Sequence, residues 1–96
     1  GMRIKIIEGM AMKKAIISTS IGAEGIEYTD GKDILIADYE DAFIKYLNTL
    51  LNNPIEINTL GENARILIES RYNNLTFAAQ LIEFYQRAFG IWLLPK

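Results

Sequence analysis

The chain has 96 residues, of which half are apolar, a net charge of −2, and neither cysteine nor histidine. This composition excludes disulfides, thiolate nucleophiles and cysteine metal sites, together with histidine as a general base or metal ligand. Any catalysis must therefore use carboxylates, lysines or hydroxyls, and we predict neither a metal site nor a cofactor.

The length predicts one small domain, which buries only roughly 60–65% of the surface that its unfolded chain exposes. Its apolar content is more than a small monomer easily hides, so we expect a partner or a further domain to cover part of it. No apolar run approaches the about 18 residues of a membrane span, and the first residues lack a secretory cleavage site. We therefore expect a cytoplasmic protein without a membrane span.

Charge is distributed unevenly along the chain. Residues 1–20 and 63–96 are net basic, whereas residues 21–62 are net acidic. A long basic groove with interleaved aromatic residues is missing, which argues against a nucleic-acid partner. Most of the charges are expected to lie on solvated helix faces.

The first predicted element is a helix over residues 3–12, because apolar residues recur there at helical spacing, namely Ile4, Ile7 and Ala11. Residues 15–19 follow as a short apolar strand, of the kind that is covered on both faces in parallel sheets. Residues 34–37 are predicted as a second parallel strand, reached by a crossover in which Asp30 and Gly31 mark a turn. Two such strands do not make a stable sheet by themselves.

Three helices are predicted after the strands. The acids between Asp38 and Asp41 suit the start of the first, which the Asn52-Asn53-Pro54 segment ends, and its apolar stripe is Phe43, Ile44, Leu47, Leu50 and Leu51. The second has Gly61 inside its apolar stripe, which favours close helix packing there, and the stripe is Ile57, Leu60, Ala64, Leu67 and Ile68. Asn74 can cap the third, Gly90 ends it, and its stripe is Ala78, Leu81, Ile82, Tyr85 and Phe89.

The first helix and strand carry a recognisable motif, whose residues are Lys5, Glu8, Met10, Ala11, Lys14, Ser18, Thr19, Gly22, Ala23, Glu24 and Gly25. In order and spacing it resembles the C-terminal donor domain of the retaining, two-Rossmann-domain (GT-B) glycosyltransferases of the group 1 / family 4 kind, which build bacterial surface polysaccharides. The resemblance continues through Asp30-Gly31, the second strand, the segment ending at Pro54, and Asn63-Ala64-Arg65. It covers about residues 3–88.

Three positions depart from the family pattern. Gly9 stands where alanine is usual, Lys13 where glycine is usual, and Ala15 where proline is usual. Lys13 matters most, because glycine after a helix takes the left-handed conformation without a Cβ penalty. Either Lys13 adopts that conformation at a cost of about 1 kcal/mol, or the helix ends differently.

The resemblance implies an α/β fold, a partial Rossmann-like fragment with a helix, two short parallel strands and then three helices. Residues 1–96 would be a single domain, the second half of a donor-binding domain truncated on its N-terminal side. The implied function is transfer of a sugar from a nucleoside diphosphate sugar to a saccharide or lipid-linked acceptor, with this chain inactive alone. The alternative is a non-catalytic oligomerisation or interaction module derived from such an enzyme, so whether the chain is an enzyme stays open.

The candidate nucleotide-sugar site consists of Glu8, Arg3 and Lys5, and no residue is assigned as catalytic. In the resembling family the glutamate matching Glu8 binds the nucleotide ribose, whereas from the residues alone a surface glutamate paired with Lys5 is the commoner situation. Arg3 and Lys5 could attract a diphosphate to the first helical turn, or Arg3 could merely end a loop.

The turn that contains Gly22, Glu24 and Gly25 would face the interdomain cleft in the family. Alternatively, its glycines only permit a tight turn after a strand.

Two partners are predicted. The first is a nucleoside diphosphate sugar, whose binding is weak or lost in the fragment. The second is another copy of the chain, because a sheet lacking its flanking strands and the apolar tail Ile91–Leu94 would both favour association into a homodimer.

Overall fold

A computed structural model describes residues 2–71 and, nearer the C-terminus, Ala79, Ile82, Glu83, Gln86, Arg87, Phe89 and Gly90. The elements of residues 2–71 are α1 (Met2–Ala11), β1 (Ile17–Ser18), β2 (Leu35–Ile36), α2 (Glu40–Leu51) and α3 (Pro54–Arg71). The described residues between 79 and 89 are helical as well. The predicted α/β order of a helix, two short parallel strands and then helices is confirmed, and it fits a Rossmann-like fragment.

The inward face of α1 is formed by Ile6, Ile7 and Met10, all of which are buried. Of the predicted stripe, Ile7 is buried, and Ile4 and Ala11 are half-buried, with Ala11 packed against the core. Apolar residues occur on several sides of α1, so the spacing does not define a single face. Packing against α3 selects the side that carries Ile6 and Met10.

The C-terminal end of α1 is closed by Lys13, whose φ is 61°. The N–H of Lys14 donates to the carbonyl of Gly9 (3.0 Å) and the N–H of Lys13 donates to that of Met10 (3.1 Å), which together form a Schellman motif. Of the two alternatives for this position, the structure shows the first. Lys13 adopts the left-handed conformation, at a cost of about 1 kcal/mol.

The loop after α1 lies directly against α3 at Gly61. A Cβ at position 61 would overlap the carbonyl oxygen of Lys13. The guanidinium of Arg65, one turn further along α3, donates to the carbonyl of Ala11 (2.6 Å). The close packing predicted at Gly61 is therefore confirmed, with the loop after α1 as the neighbour.

The two strands pair in parallel, with Ile17 opposite Leu35 and Ser18 opposite Ile36. They are shorter than the predicted segments 15–19 and 34–37, since only two residues of each are in the ladder. The N–H of Ile36 donates to the carboxylate of Asp30 (2.9 Å). The Asp30 side chain in the predicted turn therefore accepts a hydrogen bond from a backbone N–H of β2. A strand whose N–H groups are already bonded is less able to pair with another chain.

The ends of α2 agree with the sequence pattern. The helix begins with Glu40 and Asp41, whose charges suit the positive end of the helix dipole. It stops at Leu51, directly before the predicted breaker segment, and Pro54 is the first residue of α3. Proline is favoured there because the first helical N–H has no partner within the helix.

The core consists of two clusters that share α3. The first surrounds α1 and β2, and its buried members are Ile6, Ile7, Met10, Ala23, Ile26, Ile34, Ala64 and Ile68. The second comprises Leu35, Leu50 and Leu60, with Ile57 and Tyr46 packed against it. The stripe predicted for α3 is confirmed, because each of its members is buried or half-buried.

The stripe predicted for α2 is largely uncovered. Leu50 is buried, whereas Phe43, Ile44, Leu47 and Leu51 are 42–68% exposed. These residues do share one side of the helix. Only the edge that carries Leu50 contacts the core, so the helix presents an apolar surface to solvent.

Near the C-terminus, Gly90 ends the helix as predicted, and its N–H donates to the carbonyl of Gln86 (3.1 Å). Ile82 is half-buried, but Phe89, predicted on the same stripe, is 63% exposed. The predicted cap Asn74 and the predicted tail Ile91–Leu94 lie outside the described residues. Within the described part of the chain, no helix is long and apolar enough to cross a membrane.

Candidate functional site

An open cleft of about 630 Å³ lies at the N-terminal end of α1. Its walls come from the start of α1, the turn after β1 and helical residues near the C-terminus, and they consist of Arg3, Ile4, Ile21, Gly22, Glu24, Gly25, Glu83 and Arg87. Arg3, Gly22, Glu24 and Gly25 are all residues that the sequence predicts for the site. The structure therefore brings four of the six predicted residues together.

The connection between α1 and β1 explains why the cleft forms here. A short loop joins the two elements, and the first turn of α1 lies beside the residues that follow the carboxyl end of β1. Because β1 and β2 are parallel, their carboxyl ends lie at the same edge of the sheet. In open α/β sheets, ligands bind at this edge.

The turn after β1 is held by Thr19. The N–H of Gly22 donates to its hydroxyl oxygen (3.0 Å), and the N–H of Ala23 donates to its carbonyl (3.1 Å). The side chain of Ala23 is fully buried in the first core cluster. Ala23 thus anchors the turn, while its neighbours Gly22 and Glu24 line the cleft.

Further hydrogen bonds tie this turn to the loop after β2. Ser20 donates to the carboxylate of Asp38 through both its backbone N–H (2.8 Å) and its hydroxyl (2.9 Å). Asp38, predicted as part of the start of α2, therefore bonds to the turn instead. The residue at the N-cap of α2 is Tyr39, which makes no side-chain capping bond.

Arg3 lies across Gly25. The φ of Gly25 is +91°, and a Cβ at this position would lie 2.6 Å from Nη1 and 3.4 Å from Cδ of Arg3. The backbone conformation therefore requires glycine, and any Cβ here would also have to displace the end of the Arg3 side chain. The interpretation of Gly25 as a tight-turn residue is correct, and the structure adds its contact with the arginine.

The cleft contains two cations and two carboxylates. Glu83 and Arg87 form an ion pair with each other one helical turn apart, which partly neutralises Arg87. Arg3 stands at the start of α1, and the first turn of this fully described helix contains no acidic residue. A guanidinium beside the N–H groups of a helix start favours an anion such as a phosphate group.

Lys5 and Glu8 lie on α1, but neither is among the described residues that line the cleft. Lys5 is exposed and stands about 200° around the helix from Arg3. Glu8 is half-buried and lies about 7.5 Å further along the helix axis than Arg3. Nearness in sequence therefore does not put the three on one face, and the roles of Lys5 and Glu8 in nucleotide binding stay predictions.

Four lining residues are not predicted from the sequence, namely Ile4, Ile21, Glu83 and Arg87. The spacing of Glu83 and Arg87 indicates only a pair on an exposed helix face. Nothing in the sequence connects them with Arg3, because their position on the cleft depends on the packing of segments remote in sequence. Among the described residues there is no group of three or more carboxylates that could hold a metal ion.

Comparison with known proteins gives a family and one distant relative. The family described as "Glycosyl transferases group 1" matches residues 1–53, which include α1, both strands, the turn that lines the cleft and α2. An uncharacterized 44.6 kDa protein in the cps region of Klebsiella pneumoniae is 28% identical over 74 residues, or 77% of this chain and 19% of the relative. The chain thus spans about a fifth of that relative's length. No solved structure matches this chain significantly.

Proposed function

The chain belongs to the group 1 glycosyl transferases, and we propose that it forms part of the donor site of such an enzyme. The enzyme would transfer a sugar from a nucleoside diphosphate sugar to a saccharide or lipid-linked acceptor. We further propose the retaining GT-B class, with residues 1–96 as the second half of the donor domain. A cytoplasmic role in polysaccharide synthesis is part of the proposal. It is supported by the family resemblance and by a relative from a cps region.

The position of Arg3 is the observation that carries this proposal. Its side chain crosses Gly25 at the mouth of a cleft, beside the start of a helix that has no acid in its first turn. A diphosphate in the cleft would accept hydrogen bonds from the guanidinium and from N–H groups of α1. Glu8, further along the same helix, would accept hydrogen bonds from ribose hydroxyls.

The chemistry that these residues supply is electrostatic. When a sugar is transferred, negative charge develops on the departing diphosphate, and a fixed cation with oriented N–H groups stabilises it. Among the described residues, Arg3 is the cation at the helix start that is placed for that task. We assign no nucleophile or general base to the described residues.

We expect the isolated chain to bind donors weakly and to transfer no sugar. The cleft is open, and Arg87 is already paired with Glu83. So few contacts offset little of the entropy lost on binding, which predicts a dissociation constant on the order of 1 mM or weaker.

This affinity can be measured by following backbone amide NMR signals during titration with UDP-glucose and GDP-mannose. At least one donor should shift the signals of Gly22, Glu24 and Gly25. Arg3→Ala should weaken binding by about tenfold or more, since a hydrogen bond to a charged group is worth about 1.5–3 kcal/mol. Glu8→Gln should weaken binding if Glu8 contacts the ribose.

Lys45→Ala is the matched control, because Lys45 is an exposed cation on α2. Equal losses in the Lys45 and Arg3 variants would reveal nonspecific charge attraction and contradict the proposed site. Micromolar affinity for a donor would show a more complete site than the one proposed.

A further inference from the structure

Hydrogen bonds from one serine to one aspartate join the segments that follow the two strands. The backbone N–H of Ser20 donates to Oδ1 of Asp38 (2.8 Å). The Ser20 hydroxyl lies 2.9 Å from the same oxygen and 3.0 Å from Oδ2, so it can donate to either carboxylate oxygen. We call Ser20 and Asp38 together the strand-end clamp.

The strand-end clamp continues the register of the sheet. The paired residues Ser18 and Ile36 are 18 positions apart in sequence, and so are Ser20 and Asp38. Among the described residues, the last backbone bond between the strands runs from the N–H of Ala37 to the carbonyl of Ser18 (2.8 Å). Beyond that bond, the carboxylate of Asp38 joins the two segments at the edge of the sheet where ligands bind in α/β folds.

The turn that begins at Ser20 forms one wall of the cleft. Its lining residues are Ile21, Gly22, Glu24 and Gly25. The bonds that Thr19 accepts from this turn are internal to it, so they shape the turn without fixing its position relative to β2. Of the hydrogen bonds that residues 19–24 make within the described structure, those of the strand-end clamp are the ones that reach another segment.

The carboxylate of Asp38 is used for the turn and not for the helix that follows it. Aspartate is among the residues that cap a helix best. However, α2 begins after Tyr39, the N-cap residue, which makes no side-chain capping bond, and the carboxylate of the preceding Asp38 bonds to Ser20. An effective capping group is thus directed to the wall of the cleft.

The charge of Asp38 is unfavourable for a site that binds a diphosphate. Like charges repel, so a carboxylate at the edge of the cleft lowers the affinity for an anion bound there. Any favourable contribution of Asp38 to donor binding therefore comes from geometry. Because charge and geometry act in opposite directions, suitable variants can separate them.

We propose that Asp38 is a positioning residue of the donor site, which acts through Ser20 to hold the cleft wall of residues 20–25 in its binding arrangement. The inference rests on the proposed function, because the ligand in question is the diphosphate of a nucleoside diphosphate sugar. Asp38 does not contact the donor in this account. It keeps the wall in the arrangement competent for binding, and the apparent dissociation constant rises as that arrangement becomes less populated.

Two variants of Asp38 test the proposal by titration with UDP-glucose and GDP-mannose, followed by backbone amide NMR signals. Asp38→Ala removes both the bonds and the charge, and it should raise the dissociation constant about threefold or more, because the wall is then competent only part of the time. Asp38→Asn removes the charge but keeps the bonds, since its amide oxygen accepts from the N–H of Ser20 and its NH₂ group can donate to the hydroxyl. It should rescue binding to at least the affinity of the unmodified chain.

Asp41→Ala is the matched control, because Asp41 is an exposed acid in the first turn of α2 and no described hydrogen bond joins its side chain to the cleft wall. It loses the same charge and should not weaken binding. Ser20→Ala keeps the backbone bond and loses the hydroxyl, so its effect should be smaller than that of Asp38→Ala. In the double variant the two effects should not add, because both remove the same interaction.

Backbone amide relaxation of the donor-free chain provides a second measurement. Asp38→Ala should lower the order parameters of Ile21 and Gly22, whereas Asp38→Asn should not. Asp38 is exposed, so neither variant should disturb the core, and circular dichroism should show unchanged helix content.

Three outcomes would overturn the positioning role alone, when donors do bind the unmodified chain. The first is an Asp38→Ala chain that binds them as tightly as the unmodified chain. The second is an equal loss of affinity in Asp38→Asn and Asp38→Ala, and the third is a cleft wall whose order parameters do not change in Asp38→Ala. If neither donor shifts the signals of the unmodified chain, the proposed function fails and the positioning role fails with it.

Discussion

At the scale of single residues, Lys13 shows how a departure from the family pattern is accommodated. It closes α1 in the left-handed conformation that glycine adopts more readily. Its side chain approaches Glu62 only to 3.9 Å, and both groups are mostly exposed. Surface pairs of this kind contribute little, so the lysine gains little that offsets its backbone strain.

Lys13→Gly should therefore stabilise the fold by about 1 kcal/mol. Urea unfolding followed by circular dichroism measures the change. Lys14→Gly is the control, because Lys14 is the next exposed residue and does not have a positive φ. If both glycine variants changed stability equally, the gain could not be assigned to the left-handed conformation of residue 13.

Two factors oppose a side chain at position 25, the positive φ of the backbone and the nearby Arg3 side chain, and their effects can be measured separately. Gly25→Ala places a Cβ against Arg3, whereas Gly31→Ala meets nothing within 4 Å at a similar φ of +87°. Both should lose about 1–2 kcal/mol from the backbone conformation, and Gly25→Ala should lose more.

In an Arg3→Ala background the excess loss at Gly25 should disappear, as a double-mutant cycle would measure. An excess that persisted without the arginine would show that Arg3 does not lie across Gly25.

At the scale of elements, α3 is a helix that meets both core clusters. It supplies Ala64 and Ile68 to the first and Leu60 to the second. At Gly61 it also meets the loop that closes α1. The close approach at Gly61 thus helps determine where α1 lies, and with it the position of Arg3.

Gly61→Ala should destabilise the chain by at least about 2 kcal/mol. The gain of about 1 kcal/mol in helix propensity is outweighed because a Cβ would overlap a backbone carbonyl that cannot move aside alone. At Gly9 in α1 the nearest atom is the flexible Cδ1 of Ile16 at 2.9 Å. Gly9→Ala should thus stay within about 1 kcal/mol of the unmodified chain, and a larger loss there than at Gly61 would contradict this account.

At the scale of the whole molecule, the cleft depends on segments that are far apart in sequence. Arg3 comes from the first helix, Gly25 from the crossover, and Arg87 from the last described helix. The core between them is continuous through α3, whereas α2 contacts it along one edge. Stability should therefore differ among the helices.

Native-state hydrogen exchange would test this ranking. Amides near Leu60 to Ile68 should exchange slowest, because opening α3 disrupts both clusters. Amides of α2 should exchange faster. Equal protection in α2 and α3 would show that the molecule opens only as one unit.

The sequence by itself determined the α/β order of elements, the ends of α2 and the turn at Asp30. These features depend on local chemistry: apolar periodicity, acids at a helix start, and asparagine and proline after its end. The motif around Glu8 and Gly25 likewise identified the family from residues close in sequence. It could not show whether Arg3, Lys5 and Glu8 share one surface, because the burial of a helix face depends on its neighbours.

Only the tertiary structure decided which apolar residues are enclosed. Ile6 and Met10 are buried, whereas Ile4 of the predicted stripe is only half-buried, because α3 packs on the side of α1 that carries Ile6 and Met10. The joint lining of one cleft by Arg3 and Arg87, and the exposure of most of the apolar stripe of α2, likewise follow from contacts between segments remote in sequence. Such contacts depend on the packing of the whole chain, and local residue patterns carry no record of them.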